Sequence, residues 1–585
     1  MDPVVALGAL VQQAASAVLG SEHVVDPQVR RSAHADLQSD VALGLARTAK
    51  QPPRQLAQRI ADALPANELV ERVELAGPGF LNVTLRTDWL ARTASAIAHD
   101  DRLGVAPAER RHRVVIDYAS PNFAKEMHVG HLRSTIIGDC LARTLAFLGH
   151  TVIRQNHLGD WGTPFGMLIE HLRDQAVDPL LAADPARREL ALADLAAFYR
   201  TANQRYVDEP AFAERARRRV VLLQAGDADT HAWWTQLIAA TTGNMQQIFD
   251  LLGVTMTPAD VRPESFYNDR LPVLVDELLA SGRASVSDGA VCVFPAGFTN
   301  REGGPMPLML RKRDGGYGYG TTDLAAIRYR VDELGATRIL YVVGAAQAQH
   351  LGMVIAAAGE LGWLGDARAM HVPFGMVLGK DGKPLKSRAG NAFRLIDLLL
   401  RAVERARSVL PNRVKELADD ARELVATMVG VGAVKYADLS SDRIKDYVFD
   451  LDRMVAFEGD TGGYLQYAHA RIRTLLERAG VERATAAIAI TDPAERALVL
   501  ELLRFPSVVH AVGDLEADVA RSLQPHRLAG YLHDLAAAFA RFYDACPIFG
   551  SADAVRDSRL ALADLTGRTL ATGLGLLGIA APDRM

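Results

Sequence analysis

The 585 residues are 49% hydrophobic and 23% charged, a globular balance that excludes a disordered chain; at this length one core is too few, and about three or four domains are expected. Lys and Arg number 65 against 70 Asp and Glu, so the net charge of −5 gives no global attraction to nucleic acid, although phosphate binding depends on where basic residues sit rather than on their sum. Three scattered cysteines, Cys140, Cys292 and Cys546, exclude a disulfide framework and a zinc site of their own, which points to a reducing cytoplasm.

In chain order, Val4, Leu7, Val11, Ala14 and Val18 recur at helical spacing. No Lys or Arg precedes Arg30, and Gln12 and Gln13 interrupt the apolar run, so an amphipathic helix is expected and not an export signal. No stretch is apolar enough for a membrane span. A helix is expected over DLQSDVALGLARTAKQ, stopped by Pro52 and Pro53, and then a strand pair, ERVELAG and GFLNVTLR, joined through Gly77, Pro78 and Gly79. Residues 1–108 thus read as a small α+β domain ending in a polar, basic linker.

From Arg113 the pattern becomes β-loop-α-β: RVVIDY, then HVGHLRSTIIGDCLARTLAFLG, then HTVIRQNHL. That is the opening of a doubly wound parallel sheet, a Rossmann-like domain over 109–393. Its middle is helical to about Leu252, and strand-like pieces return at ASVSDGAVCVF, PLMLRKRDG, TRILYVVG and MHVPFGMVL. From Arg394 to the last residue helical periodicity predicts an all-α bundle, 394–585, so the fold class is multidomain α/β.

Two segments carry chemistry. His128, Val129, Gly130 and His131 open a helix after a strand and a loop, where unpaired amides and the helix dipole attract phosphate. Two histidines three apart share a face, and Gly130 lets a flat base approach the backbone. Chance supplies roughly 0.04 such strings per chain, so the context must decide. Some 250 residues on, GKDGKPLKSRAGN sets Lys380, Lys383, Lys386 and Arg388 among glycines, a basic loop able to close over pyrophosphate. Basic glycine-rich loops are usually solvated turns, so this segment alone decides little.

Together the segments resemble the HIGH and KMSKS signatures of class I aminoacyl-tRNA synthetases, with Lys383-Pro-Leu-Lys386-Ser387 a degenerate second motif. IDYASPNFAKEMHVGHLRSTIIGD, YGYGTTDLAAIRYR, ESFYND, FEGDTGGYLQYAHARIR, GPGFLN and LGLLGIAAPDRM resemble the arginyl members throughout. The resemblance implies an arginine–tRNA ligase that forms arginyl-adenylate from ATP, with Mg²⁺, and passes arginine to the 3′ end of tRNA(Arg). It implies catalysis by His128, His131, Lys383 and Lys386, and ATP binding by these with Lys125, Gly130 and Ser387. Arginine would meet Asp117, Asn122, Tyr319, Asp323 and Gln347, with Asp323 and Asp117 taking the guanidinium in bidentate fashion and Asn122 and Gln347 the α-amino end. The span from His131 to Lys383 leaves little room for an editing domain. A site that hydrogen-bonds a guanidinium needs none, whereas a missing methylene is worth only about 1–3 kcal/mol.

The bundle resembles the family's anticodon-binding domain, with Tyr464, Gln466, Tyr467, Arg471 and Arg473 expected at the RNA, although tyrosines at this spacing are as readily core residues. The N-terminal domain resembles the family's tRNA-elbow module, and Arg215, Arg217, Arg218 and Arg219 read as a solvated helix face. The family case is a cytoplasmic monomer that needs tRNA before it activates arginine. Rival readings are a non-catalytic tRNA-binding paralogue, a paralogue resistant to an arginine-like inhibitor, and another adenylyl-transferring ligase.

Overall fold

The computed structural model describes residues 2–20, 25–121, 127–174, 195–385, 393–411, 414 and 416–585. Helix α1 (Pro3–Leu19) starts on Asp2, whose side chain accepts the Val4 amide at 2.7 Å, and buries Leu7, Val11 and Ala14. It packs with α2 (Val41–Ala49) and α3 (Pro53–Asp62) beside an antiparallel sheet of order β1-β2-β4-β3: β1 (Val29–Arg31), β2 (Leu37–Ser39), β3 (Val70–Ala76), β4 (Phe80–Leu85). The expected helix over DLQSDVALGLARTAKQ is therefore shorter. Its first residues form β2, where Leu37 and Ser39 point inward at period two, and the helix begins only at Val41. Helix α4 (Thr87–Ala98) closes this unit against the far end of the chain, where Ser95 Oγ accepts the Ile488 amide at 2.9 Å.

The central sheet has the order β11-β10-β5-β6, all parallel: β5 (Arg113–Asp117), β6 (Thr151–Gln155), β10 (Arg338–Tyr341) and β11 (Arg368–His371). Val114 and Ile116 face the core shared with the helical bundle, while Val115 faces a second core under α10 (Leu271–Ala280), α11 (Tyr319–Asp332) and α12 (Ala348–Glu360). Both faces are covered, as a parallel sheet requires. Helix α5 (Val129–Phe147) follows β5 and crosses it so closely that a Cβ on Gly138 would lie 2.3 Å from Tyr118. Between the halves of the sheet lie α6 (Thr163–Asp174), α7 (Leu195–Asp208), α8 (Pro210–Gln224), α9 (Ala228–Leu252) and an antiparallel sheet β7-β8-β9 (Ser285–Ser287, Ala290–Val293, Leu308–Arg311). On α8, Arg215 and Arg219 pair with Glu170 at 3.2 and 2.6 Å and Arg217 with Glu214 at 2.9 Å, so that basic run is largely neutralised.

The last part of the chain holds α13 (Leu395–Val409), α14 (Asp419–Leu439), α15 (Leu451–Met454), α16 (Gly462–Arg478), α17 (Pro493–Leu502), α18 (Phe505–Val512), α19 (Pro525–Ala545) and α20 (Asp553–Leu576). It is not wholly helical: β13 (Tyr447–Val448) pairs in parallel with β12 (Val377–Leu378). Among the described residues no helix is long and apolar enough to cross a membrane.

Candidate active site

His128 stands at the N-cap of α5, in extended backbone, rather than on its first turn. Its Nδ1 accepts the Gly130 amide at 3.0 Å, and His131 Nδ1 accepts the His128 amide at 3.1 Å, a reciprocal cap built from two imidazoles. A neutral ring that accepts at Nδ1 carries its proton on Nε2, and these two rings stand at the end of the helix where anions are favoured. The rings lie 4.0 Å apart. Gly130 serves this cap, because a Cβ there would fall 2.7 Å from His128 Cε1.

The basic loop meets the same point. The Val129 amide donates to Phe393 O at 3.0 Å and the Leu395 amide to Met127 O at 2.9 Å, so the helix start is sewn to the chain just after the lysines. Before them, residues 378–384 form a tight hairpin in which the Gly379 amide donates to Lys383 O at 2.7 Å. Lys383 is exposed on it, and Lys380 pairs with Asp450 at 3.0 Å. Lys386, Ser387, Asn122 and Lys125 lie outside the described residues.

A second group gathers at the C-terminal ends of β5 and β10, where doubly wound sheets bind ligands. Tyr319, 75% exposed, opens α11, and its ring stands edge-on to His350 at 6.3 Å. One turn on, Asp323 bonds His350 Nε2 at 2.6 Å, which lifts the imidazole pKa, and lies 3.9 Å from His157 Nε2. Gln347 is exposed on the turn before α12. Asp117 lies deeper, and its carboxylate already carries a guanidinium: Arg330 Nη2 donates to Oδ2 at 2.6 Å, while Ser120 Oγ donates to Oδ1 at 2.7 Å. Arg330 also holds Gln155 at 2.6 Å and lies over the Tyr341 ring.

Sequence reasoning did not single out two further acids. Burial, with Asp160 and Asp323 beside it, pushes the Glu264 carboxyl up to about 8, and burial pushes Asp160 up to about 6 although Ser265 bonds it twice. His157 Nδ1 is buried without a hydrogen-bond partner. Asp160, Glu264 and Asp323 thus form a cluster of carboxyls, with Lys312 a cation that acts on Glu264. Glu264 stands in the quoted string ESFYND, but nothing in that string tells which carboxyl is buried. Among the described residues no group of three or more His, Cys, Asp or Glu is set to hold a metal ion.

On α16 the expected RNA residues divide between two faces. Tyr464, Tyr467 and Arg471 follow one outer stripe, with Tyr464 against His533 at 5.6 Å and Arg471 over the Tyr543 ring at 4.4 Å. Gln466 is turned inward and fully buried, its Nε2 donating to Met428 O at 3.0 Å and Ala580 O at 2.8 Å. Arg473 is drawn to Asp583 at 3.2 Å.

Three family models match the chain. Residues 6–85 match the arginyl tRNA synthetase N terminal domain, 92–451 the catalytic domain of tRNA synthetases class I (R), and 465–585 the DALR anticodon binding domain. The chain is 50% identical over 588 residues to the arginine–tRNA ligase of Thermobifida fusca (strain YX), with 100% of each covered. It is 51% identical over 579 residues to that of Frankia casuarinae, covering 98% of this chain and 97% of the relative. Its fold is similar to the arginyl-tRNA synthetases of Thermus thermophilus (TM-score 0.81) and Plasmodium falciparum (TM-score 0.83), each 26% identical with 100% of both chains covered.

Proposed function

The chain belongs to the arginyl-tRNA synthetases of class I, and on that footing we propose how its own residues divide the work of joining arginine to tRNA(Arg) with ATP. ATP phosphates meet the N-terminus of α5 at His128 and His131, and Lys383 reaches them from the hairpin; Lys125, Lys386 and Ser387 bind ATP with them, and Gly130 leaves room for the imidazole cap. The arginine carboxylate attacks the α-phosphorus, pyrophosphate leaves, and these donors stabilise the charge that builds on it. Mg²⁺, implied by the ATP chemistry, would share the charge of the phosphates. A terminal hydroxyl of the tRNA then attacks the adenylate carbonyl and AMP departs.

The observation that carries the amino-acid assignment is the cluster of carboxyls formed by Asp323, Glu264 and Asp160. Asp323 takes the substrate guanidinium with Tyr319 beside it, and Asn122 and Gln347 hold the α-amino end. Asp117 acts through Arg330, fixing the pocket floor. Residues 109–393 do the chemistry, 1–108 reach the tRNA elbow, and 394–585 receive the anticodon through Tyr464, Tyr467 and Arg471, with Arg473 at the margin; Gln466 braces the helix that carries them. The enzyme works as a cytoplasmic monomer.

The test is ATP–pyrophosphate exchange with each of the twenty amino acids, with and without tRNA. Exchange with arginine alone, and only when tRNA is present, is expected. Exchange with another amino acid would overturn the pocket assignment, and folded, tRNA-binding protein with no exchange would mark a non-catalytic paralogue.

A further inference from the structure

Helix α12 begins beside the carboxyl cluster and brings more to it than Gln347. The turn that leads into the helix is pinned to the chain after β11, where the Ala345 amide donates to Phe374 O at 3.0 Å. Gln347 then takes the N-cap, and His350 follows three residues later on the same side of the helix. From there the imidazole reaches across to α11 and bonds Asp323, Nε2 to Oδ2, at 2.6 Å. Tyr319, one turn before Asp323 on α11, stands edge-on to the same ring.

This bond holds Asp323 by one oxygen only. The other, Oδ1, lies 3.9 Å from His157 Nε2, beyond hydrogen-bond reach, and is open to a donor. An aspartate carboxylate turns about two torsions, the second of them broad, so a single strong hydrogen bond does much to set its plane. The plane matters for one kind of cation above others. A guanidinium is a flat fork that meets both oxygens of a carboxylate in a shared plane, whereas an ammonium is a compact charge with no such demand. His350 also ties α12 to α11, and with them the two ends assigned to the substrate: Gln347 at the α-amino group and Asp323 at the guanidinium.

Resting on the arginine reading of this pocket, we propose that His350 is a positioning residue for arginine binding. It holds the Asp323 carboxylate in the plane that a guanidinium fork requires, at a set distance from Gln347. It acts through Asp323 and takes no part in the transfer of the adenylyl group.

His350→Leu keeps much of the bulk and removes the donor. Both side chains are only partly buried, so the full-length variant should melt with the wild type. In tRNA-saturated ATP–pyrophosphate exchange its KM for arginine should rise about tenfold or more, the scale of a hydrogen bond to a charged group, while kcat and the KM for ATP stay near the wild-type values. His350→Gln places an amide N–H where Nε2 stood and should recover most of the lost affinity. Asp323→Asn combined with His350→Leu should bind arginine no worse than Asp323→Asn alone, because the histidine then has no carboxylate to hold. An unchanged arginine KM in His350→Leu, no recovery in His350→Gln, or losses that multiply in the double variant would overturn the proposal. A normal arginine KM in Asp323→Asn would overturn the pocket reading instead.

Discussion

Two aspartates nominated for one job turn out to differ in burial and company, and substitution should separate them. Asp117 is 4% exposed and bound to the fully buried Arg330, so Asp117→Asn strands a guanidinium in the interior. Breaking such a pair from one side costs about 3–5 kcal/mol, which a shifted denaturant midpoint would reveal. Asp323 keeps a side-chain exposure of 17% and leans on histidines. Asp323→Asn should leave the midpoint nearly unchanged and lower kcat/KM for arginine at least about a hundredfold; a normal arginine KM would remove it from the pocket. Glu264 gives a pH signature. Its carboxyl titrates near 8 in the folded chain and about 4.3 when unfolded, so its contribution to stability is complete below the unfolded value and is lost as the pH rises through the folded one. A bound guanidinium favours the carboxylate and reverses the bias. Calorimetry at neutral pH in buffers of different ionisation enthalpy should therefore show proton release on arginine binding, absent in Glu264→Gln.

At the scale of elements, the start of α5 depends on its glycine. Gly130→Ala pushes a methyl into His128 and should break the imidazole cap. Adenylate formation in single-turnover experiments should fall about tenfold or more, as it should in His131→Ala, while filter binding shows unchanged tRNA affinity. Parallel losses of rate and affinity would point to misfolding instead. Much of this element was legible beforehand: RVVIDY reads as a buried strand because both its faces are covered, and the HVGH turn announces a helix start. The strands β1 and β2 were not, since VRR and LQS are too short to carry a pattern; β2 gains its place by pairing with β4, and β1 by pairing with β2. Nor was the Asp117–Arg330 pair, which joins residues far apart in sequence and leaves no local trace. On α16 composition nominated five residues at once. Only the tail packed against the helix, with Ala580 O holding Gln466, decides which of them face outward.

At the scale of the molecule, the N-terminal unit sits on the bundle. Arg496 clasps Asp36 at 2.6 Å and also reaches Leu85 O and Thr87, Arg31 pairs with Glu501, and Gly104 packs under Pro506. Elsewhere Glu516 of the bundle gathers His112, Arg338 and Arg368 from one end of the parallel sheet. Arg496→Glu should loosen the first contact alone. Limited proteolysis should then cut within 99–112 faster than in the wild type while arginine-dependent exchange with saturating tRNA persists; an unchanged cleavage pattern would show that apolar packing holds the unit by itself. The same contact orders events during synthesis. Residues 31 and 36 leave the ribosome some 460 residues before their partners, a wait of tens of seconds at roughly 5–20 residues per second. Through that interval the face later covered by the bundle stays bare, which makes the nascent N-terminal unit a natural client for a chaperone and its docking among the last folding steps to finish.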